Sequence, residues 1–190
     1  MSEDLTGVTV AFLATEGVEQ VELTEPWEAL RGAGATTHLV SPDDEVHAFN
    51  HLDRAETFTT DRAVAEANPG TYDALLLPGG VANPDALRAD AQAVSFVKGF
   101  LEVGKPVFAI CHAPWLLVEA DAVRGRRVTS WPSLQTDLRN AGAEWIDEEV
   151  VVCNGGEGPL VTSRKPDDIP AFNGKVLEVL NKLPVRASGT

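Results

Sequence analysis

An apolar run extends through residues 8–14, broken only by Thr9 and continuous from Val10, directly after a turn-like Thr6-Gly7. An unbroken apolar run, unlike an alternating one, predicts a strand buried on both faces, as in a parallel sheet. Leu23, Trp27 and Leu30 then follow at spacings of four and three, the stripe of a helix that Gly32 and Gly34 stop. Residues 37–41 read as the next strand. The pattern weakens over residues 42–60 into a loop with a β-hairpin, and residues 61–67 read as a short helix closed by Asn68-Pro69-Gly70. Residues 73–77 form an interior strand ended by Pro78-Gly79-Gly80. Residues 91–103 set Val94, Val97 and Leu101 on one helical face before Gly104. Residues 106–110 are another buried strand, and it runs straight into Cys111. Beyond it come a helix over 113–120, a short strand over 128–130 and a helix marked by Leu134, Leu138 and Ala141. Strands over 150–152 and 160–163 flank a turn at Asn154-Gly155-Gly156. A last helix carries Phe172, Val176, Val179, Leu180 and Leu183, with Asp167 and Asp168 at its positive end. The tail after Pro184 is expected to be loose.

Strands that alternate with helices imply an α/β fold with a mostly parallel sheet covered on both faces. Ligands in such folds bind beyond the carboxyl ends of the strands. Three segments end a buried strand with unusual chemistry, and topology alone would gather them: residues 15–19, Pro78-Gly79-Gly80 and Cys111-His112. No linker or internal repeat divides the 190 residues, so one domain is expected over 1–190, with its core at about 8–183. A formal charge of −14 repels phosphate backbones and anionic lipid, which argues against stable nucleic-acid or membrane binding. Residues 1–6 lack the basic and apolar regions of a signal peptide, and no apolar run approaches the roughly 20 residues that span a bilayer. A cytoplasmic location is the resulting expectation.

Only two cysteines occur, Cys111 and Cys153, too few to staple a chain of this size, and they read as two separate strand ends. The segment 106–117, PVFAICHAPWLL, passes from strand to helix with no spare residues, so Cys111 occupies a tight elbow. That geometry exposes a nucleophile above an α/β sheet and sets its sulfur near a helix start that favours thiolate. A buried core cysteine is the plain alternative. An intermediate with negative charge on oxygen could be received by the backbone N–H groups of His112 and Gly80. Pro78-Gly79-Gly80 could equally be only a turn. His38, His47 and His51 read as surface or loop residues, with too few further ligands for a zinc site. Trp115 and Trp131 could line a pocket or pack in the core.

Four segments carry a family resemblance: LLLPGG at 75–80, AICHAP at 109–114, TSWPSLQTDLRNAGAEW at 129–145 and VTSRKPDD at 161–168. Together the chain resembles the PfpI family, within the class I glutamine amidotransferase-like superfamily that includes the Parkinson-disease-associated protein deglycase. The resemblance covers about residues 8–183. It implies a flavodoxin-like three-layer sandwich, a homodimer or higher homo-oligomer, and a cysteine-dependent site. It places the nucleophile on Cys111 and its adjoining histidine on His112. It places the glutamate that neighbours the sulfur on Glu19, within EQVEL, which leaves Glu16 and Glu22 as solvated glutamates near a helix start. An acid lent by the adjacent subunit falls nearest Asp85, in a stretch of altered length. The family's usual CHGP reads Cys111-His112-Ala113-Pro114 here, and Cys153 stands where relatives often have aspartate.

A buried Glu19 beside a thiolate would have a raised pKa and could donate a hydrogen bond to sulfur. The leading expectation is a stress-related cysteine enzyme that acts on small dicarbonyls such as methylglyoxal or on glycated protein, with no metal or organic cofactor. An intracellular cysteine peptidase acting on unfolded protein is the second reading. A redox sensor or chaperone with an oxidisable Cys111 is the third.

Overall fold

The unbroken apolar runs form the middle of a seven-stranded sheet. The computed structural model describes residues 4–183, so the expected loose tail lies outside the described residues. In chain order the elements are β1 (Thr9–Leu13), β2 (Val18–Glu19), α1 (Gln20–Gly32), β3 (Thr36–Ser41), β4 (Glu45–Asn50), β5 (Asp53–Thr59), β6 (Arg62–Ala63), β7 (Ala74–Leu77), α2 (Ala82–Ala89) and α3 (Ala91–Leu101). They continue with β8 (Val107–Ile110), α4 (Pro114–Glu119), β9 (Arg127–Val128), α5 (Gln135–Asn140), β10 (Glu144–Trp145), β11 (Val150–Cys153), β12 (Leu160–Ser163) and α6 (Ile169–Leu180). The main sheet has the order β11-β12-β8-β7-β1-β3-β6. All its neighbours are parallel except β11, which runs antiparallel to β12.

Successive side chains point to opposite faces. Val10 and Phe12 join Leu23, Leu30, Phe172 and Val176, from α1 and α6. Ala11 and Leu13 join Phe96, Phe100 and Leu116, from α3 and α4. The same division holds in β7 and β8, with Leu76 and Phe108 on one side and Leu75 and Val107 on the other. Burial on both faces is why these strands read as continuous apolar runs. The result is a flavodoxin-like α/β sandwich. From β1 the chain steps outward to β3, then crosses back to β7 and β8. The carboxyl ends of β1, β7 and β8 therefore stand side by side where the order reverses, the position at which such sheets form a crevice.

Three elements depart from expectation. Residues 61–67 are no helix: Asp61 N–H donates to the Leu39 carbonyl at 2.9 Å and Val64 N–H to that of Ser41 at 2.8 Å, which zips β6 onto the sheet edge. Helix α2 fills a stretch whose Asn83-Pro84 pair resembles a turn; Pro84 sits in the first turn, where a missing N–H costs little. The short strand near 128 pairs with β10, apart from the main sheet. The expected hairpin forms as β4 and β5, with β2 added to its edge.

Candidate active site

Cys111 follows β8 with φ of +64°, a left-handed backbone that a non-glycine residue adopts at a cost of about 1–3 kcal/mol. Two backbone bonds hold it there. Its N–H donates to the Ser163 carbonyl at 3.0 Å, and its carbonyl accepts from Trp131 N–H at 2.9 Å. The residue is 6% exposed and stands in the wall of a cleft of about 470 Å³, with Glu19, Phe49, His51, Leu52 and Trp131 around it. Helix α4 starts three residues later and is only six residues long, so its dipole at the sulfur is weak. The N–H groups of Gly80 and His112 hydrogen-bond the sulfur directly and favour its anion.

The carboxyl beside the sulfur belongs to Glu22, which corrects the expectation for Glu19. Glu22 is the third residue of α1 and fully buried, on the helix face that also holds Pro26 and Leu30. Its Oε2 accepts from Gly79 N–H at 2.9 Å, and its carboxyl hydrogen-bonds the Cys111 side chain. Its Oε1 is buried with no hydrogen-bond partner among the described residues. Burial raises this carboxyl to about 8, more than the bonds from Cys111, Gly79 and Gly80 lower it. Glu22 is therefore a neutral acid at pH 7. Burial also pushes the Cys111 thiol up, and an ionised Glu22 pushes it further. With the proton on Glu22 that repulsion is absent, and its O–H becomes a third donor toward sulfur. The two groups thus share one proton in preference to losing both.

Glu19 lies one turn of chain earlier, at the end of β2. It is half-buried, and its Oε2 accepts from the His51 N–H at 3.0 Å. It ties the β4–β5 turn over the cleft instead of reaching the sulfur. His51 is thus a cleft residue, and His47 pairs with Glu16 at 2.7 Å. The signal for Glu22 was present in the sequence: Glu22, Pro26 and Leu30 recur every fourth residue, a core-facing stripe with a carboxyl in it.

His112 turns back to the sulfur, with its Nδ1 3.2 Å from Cys111 Sγ. Its ring stacks on Trp131, centroids 5.6 Å apart, and meets the Trp115 ring edge-on at 5.3 Å. Burial lowers its pKa, so the imidazole is neutral at pH 7. Trp131 thus lines the cleft, while Trp115 packs against the core and donates its Nε1–H to Asp137 at 2.9 Å.

The Pro78-Gly79-Gly80 segment is more than a bend. A Cβ at Gly79 would overlap Glu22 Oε2 and lie 2.7 Å from Cys111 Cβ. Gly80 has φ of +82°, and a Cβ there would strike the Gly17 carbonyl. Asn83, which sequence reasoning missed, fastens the segment. Fully buried, it accepts from Thr15 N–H at 2.8 Å and donates to the Pro78 and Gly79 carbonyls, both at 2.9 Å. One amide therefore joins the ends of β1 and β7.

Asp85 is exposed in the first turn of α2 and makes no hydrogen bond to His112 within the chain. Cys111 and Cys153 are both free thiols. Cys153 is level with Val107 and two strands away, so its Cα lies about 16 Å from that of Cys111 by strand geometry, beyond disulfide reach.

The fold and this elbow define a class of protein, and the comparison with known families agrees. The DJ-1/PfpI family matches residues 8–179, and the chain belongs to it. It is 44% identical to General stress protein 18 of Bacillus subtilis, over 93% of this chain and 99% of that one. It is 43% identical to Protein/nucleic acid deglycase 2 of Escherichia coli, over 90% of this chain and 96% of that one. Among solved structures it resembles a two-domain protein of Anabaena variabilis with DJ-1/ThiJ/PfpI-like and ferritin-like domains. The TM-score is 0.84 at 32% identity, over 96% of this chain and about half, 52%, of that one. No helix among the described residues is long and apolar enough to cross a membrane.

Proposed function

We propose that this chain is a cysteine-dependent enzyme that converts small reactive dicarbonyls, or their early adducts on protein amines, to hydroxy acids. One observation carries the reading: the strained Cys111 presents its sulfur to a cleft while touching a neutral buried acid, Glu22, and a neutral imidazole, His112. The name of the Escherichia coli relative, a deglycase, supports the same reaction class.

With methylglyoxal as substrate, the Cys111 thiolate attacks the aldehyde carbon. The N–H groups of Gly80 and His112 receive the charge that forms on oxygen, and Glu22 supplies the proton that completes the hemithioacetal. His112 then moves the proton from the aldehyde carbon to the neighbouring ketone carbon. This leaves a thioester of lactate, which water cleaves to lactate and free thiol. One water is consumed and nothing is oxidised overall. The cleft has room for such a substrate, and its mouth is apolar where exposed Leu52 and Val81 flank it. Assembly as a homodimer belongs to the same proposal, with the exposed Asp85 of α2 facing a partner's site, as does action in the cytoplasm.

The test is lactate formation from methylglyoxal by pure protein. Wild type turns over and Cys111→Ala does not. Absence of wild-type turnover, or its persistence in Cys111→Ala, overturns the proposal. Cleavage of unfolded protein that is lost in Cys111→Ala and weakened in Asp85→Ala would favour a peptidase instead.

A further inference from the structure

The cleft holds one charge that the chemistry at Cys111 does not use. Glu19 stands half-buried in its wall, beside Phe49, the residue level with it in the β2–β4 pairing. Its Oε2 accepts from the His51 N–H, and its Oε1 makes no hydrogen bond among the described residues. No lysine or arginine among those residues lines the cleft. With Glu22 neutral, the Glu19 carboxylate sets the sign of the field inside.

That sign opposes the reaction. A carboxylate close enough to disfavour the charged form of Glu22 also repels the thiolate and the oxyanion that form beside it. Holding the β4–β5 turn does not require the charge, because the neutral carbonyl of a glutamine would accept the same bond from His51. A fixed negative charge in a site that creates negative charge is offset when the substrate brings a positive one. The rest of the cleft suits such a group. Phe49 and the partly exposed Trp131 offer aromatic surface on which a flat guanidinium stacks. Leu52 and Val81 at the mouth offer apolar contact to the methylenes that carry it.

We propose that Glu19 sets the charge specificity of this site: it takes a carbonyl-derived carbon bonded to a cationic nitrogen, best that of a guanidinium, and turns away carbonyl compounds that carry a carboxylate. The inference rests on the reading of Cys111 as the nucleophile and adds the charge of what it attacks. Guanidinium is preferred to ammonium for a chemical reason. An alkylammonium gives up its proton before its nitrogen adds to a carbonyl, and the hydroxyl on the new carbon leaves that nitrogen weakly basic. A guanidinium adduct stays charged through its other nitrogens.

The test reads charge at the sulfur without turnover. Cys111 is modified at pH 7.5 by two methanethiosulfonates of similar size, one carrying trimethylammonium and one sulfonate, and the rates are followed by mass spectrometry of the Cys111 peptide. The cationic reagent should react faster, and Glu19→Gln should lower the cation-to-anion ratio at least about tenfold. The ratio cancels any change in the reactivity of the thiol itself. Glu66→Gln removes one exposed charge outside the cleft and should change the ratio less than about twofold. An equal fall in both variants, or no fall in Glu19→Gln, overturns the proposal. A second measurement uses wild type and decides if Glu19→Gln does not fold. Nα-acetylargininamide at about 10 mM should slow modification of Cys111 by a neutral methanethiosulfonate about threefold, and its citrulline counterpart, of the same shape without the charge, should not. Protection by both or by neither overturns the guanidinium preference. Neither readout requires lactate formation, so this proposal and that for dicarbonyl turnover fail independently.

Discussion

The two cysteines lie two strands apart, toward opposite ends of the strands of one sheet, and show how neighbours set what a thiol does. Cys111 sits at a strained backbone position at the carboxyl ends of the parallel strands, against an acid and an imidazole, with no cation hydrogen-bonded to it among the described residues. Cys153 ends a relaxed antiparallel strand against an arginine. A shared proton governs the first, which gives a nucleophile whose anion appears beside a ready proton donor. Burial raises the second, but hydrogen bonds from the Arg126 side chain and from the Arg127 and Gly155 backbone outweigh it and hold the thiol below its ordinary value. Burial alone does not distinguish them, since both lie under 10% exposed.

The comparison can be broken most forcefully at Gly79. Gly79→Ala drives a methyl group into Glu22 and Cys111 and should destabilise the fold by about 3 kcal/mol or more, read from denaturant unfolding. Next in size, Glu22→Leu removes the donor beside the sulfur. Lactate formation should fall about 100-fold. A fall under threefold would mean that the acid only fills space.

Acidity sharpens the same contrast. Glu22 is raised, so it is protonated below about pH 8 and charged above it. Turnover per substrate concentration, kcat/KM, should therefore fall as pH rises through about 8. Glu22→Gln, which cannot lose a proton, should have a lower plateau and no alkaline fall. The smallest effect is expected for Cys153→Ser, which should change turnover less than about twofold because strand geometry keeps it remote from the site.

Much of this was legible in the chain because burial on both faces writes strands as unbroken apolar runs. β1, β7 and β8 appear in the sequence nearly as they stand in the sheet. The elbow was legible because β8 meets Cys111 without a spare residue. The acid was misplaced by one helical turn. Glu19 and Glu22 share one short motif, and only the direction each takes from the start of α1 separates them. The fourfold spacing of Glu22, Pro26 and Leu30 carried that direction. Asn83 was hidden for another reason: its three hydrogen bonds go to Thr15, Pro78 and Gly79, the first of them 68 residues away. Local pattern holds no record of such partners. The edge strand β6 was likewise set by pairing with β3, which overrode a sequence with helical character.

The central claim is that Glu22 keeps its proton beside Cys111 at neutral pH. Infrared difference spectroscopy of wild type against Glu22→Gln measures it without any substrate. At pH 7 the difference should contain the carbonyl stretch of a protonated carboxyl, which disappears as pH is raised through about 8. Carboxylate bands at pH 7 in place of that stretch would contradict the account.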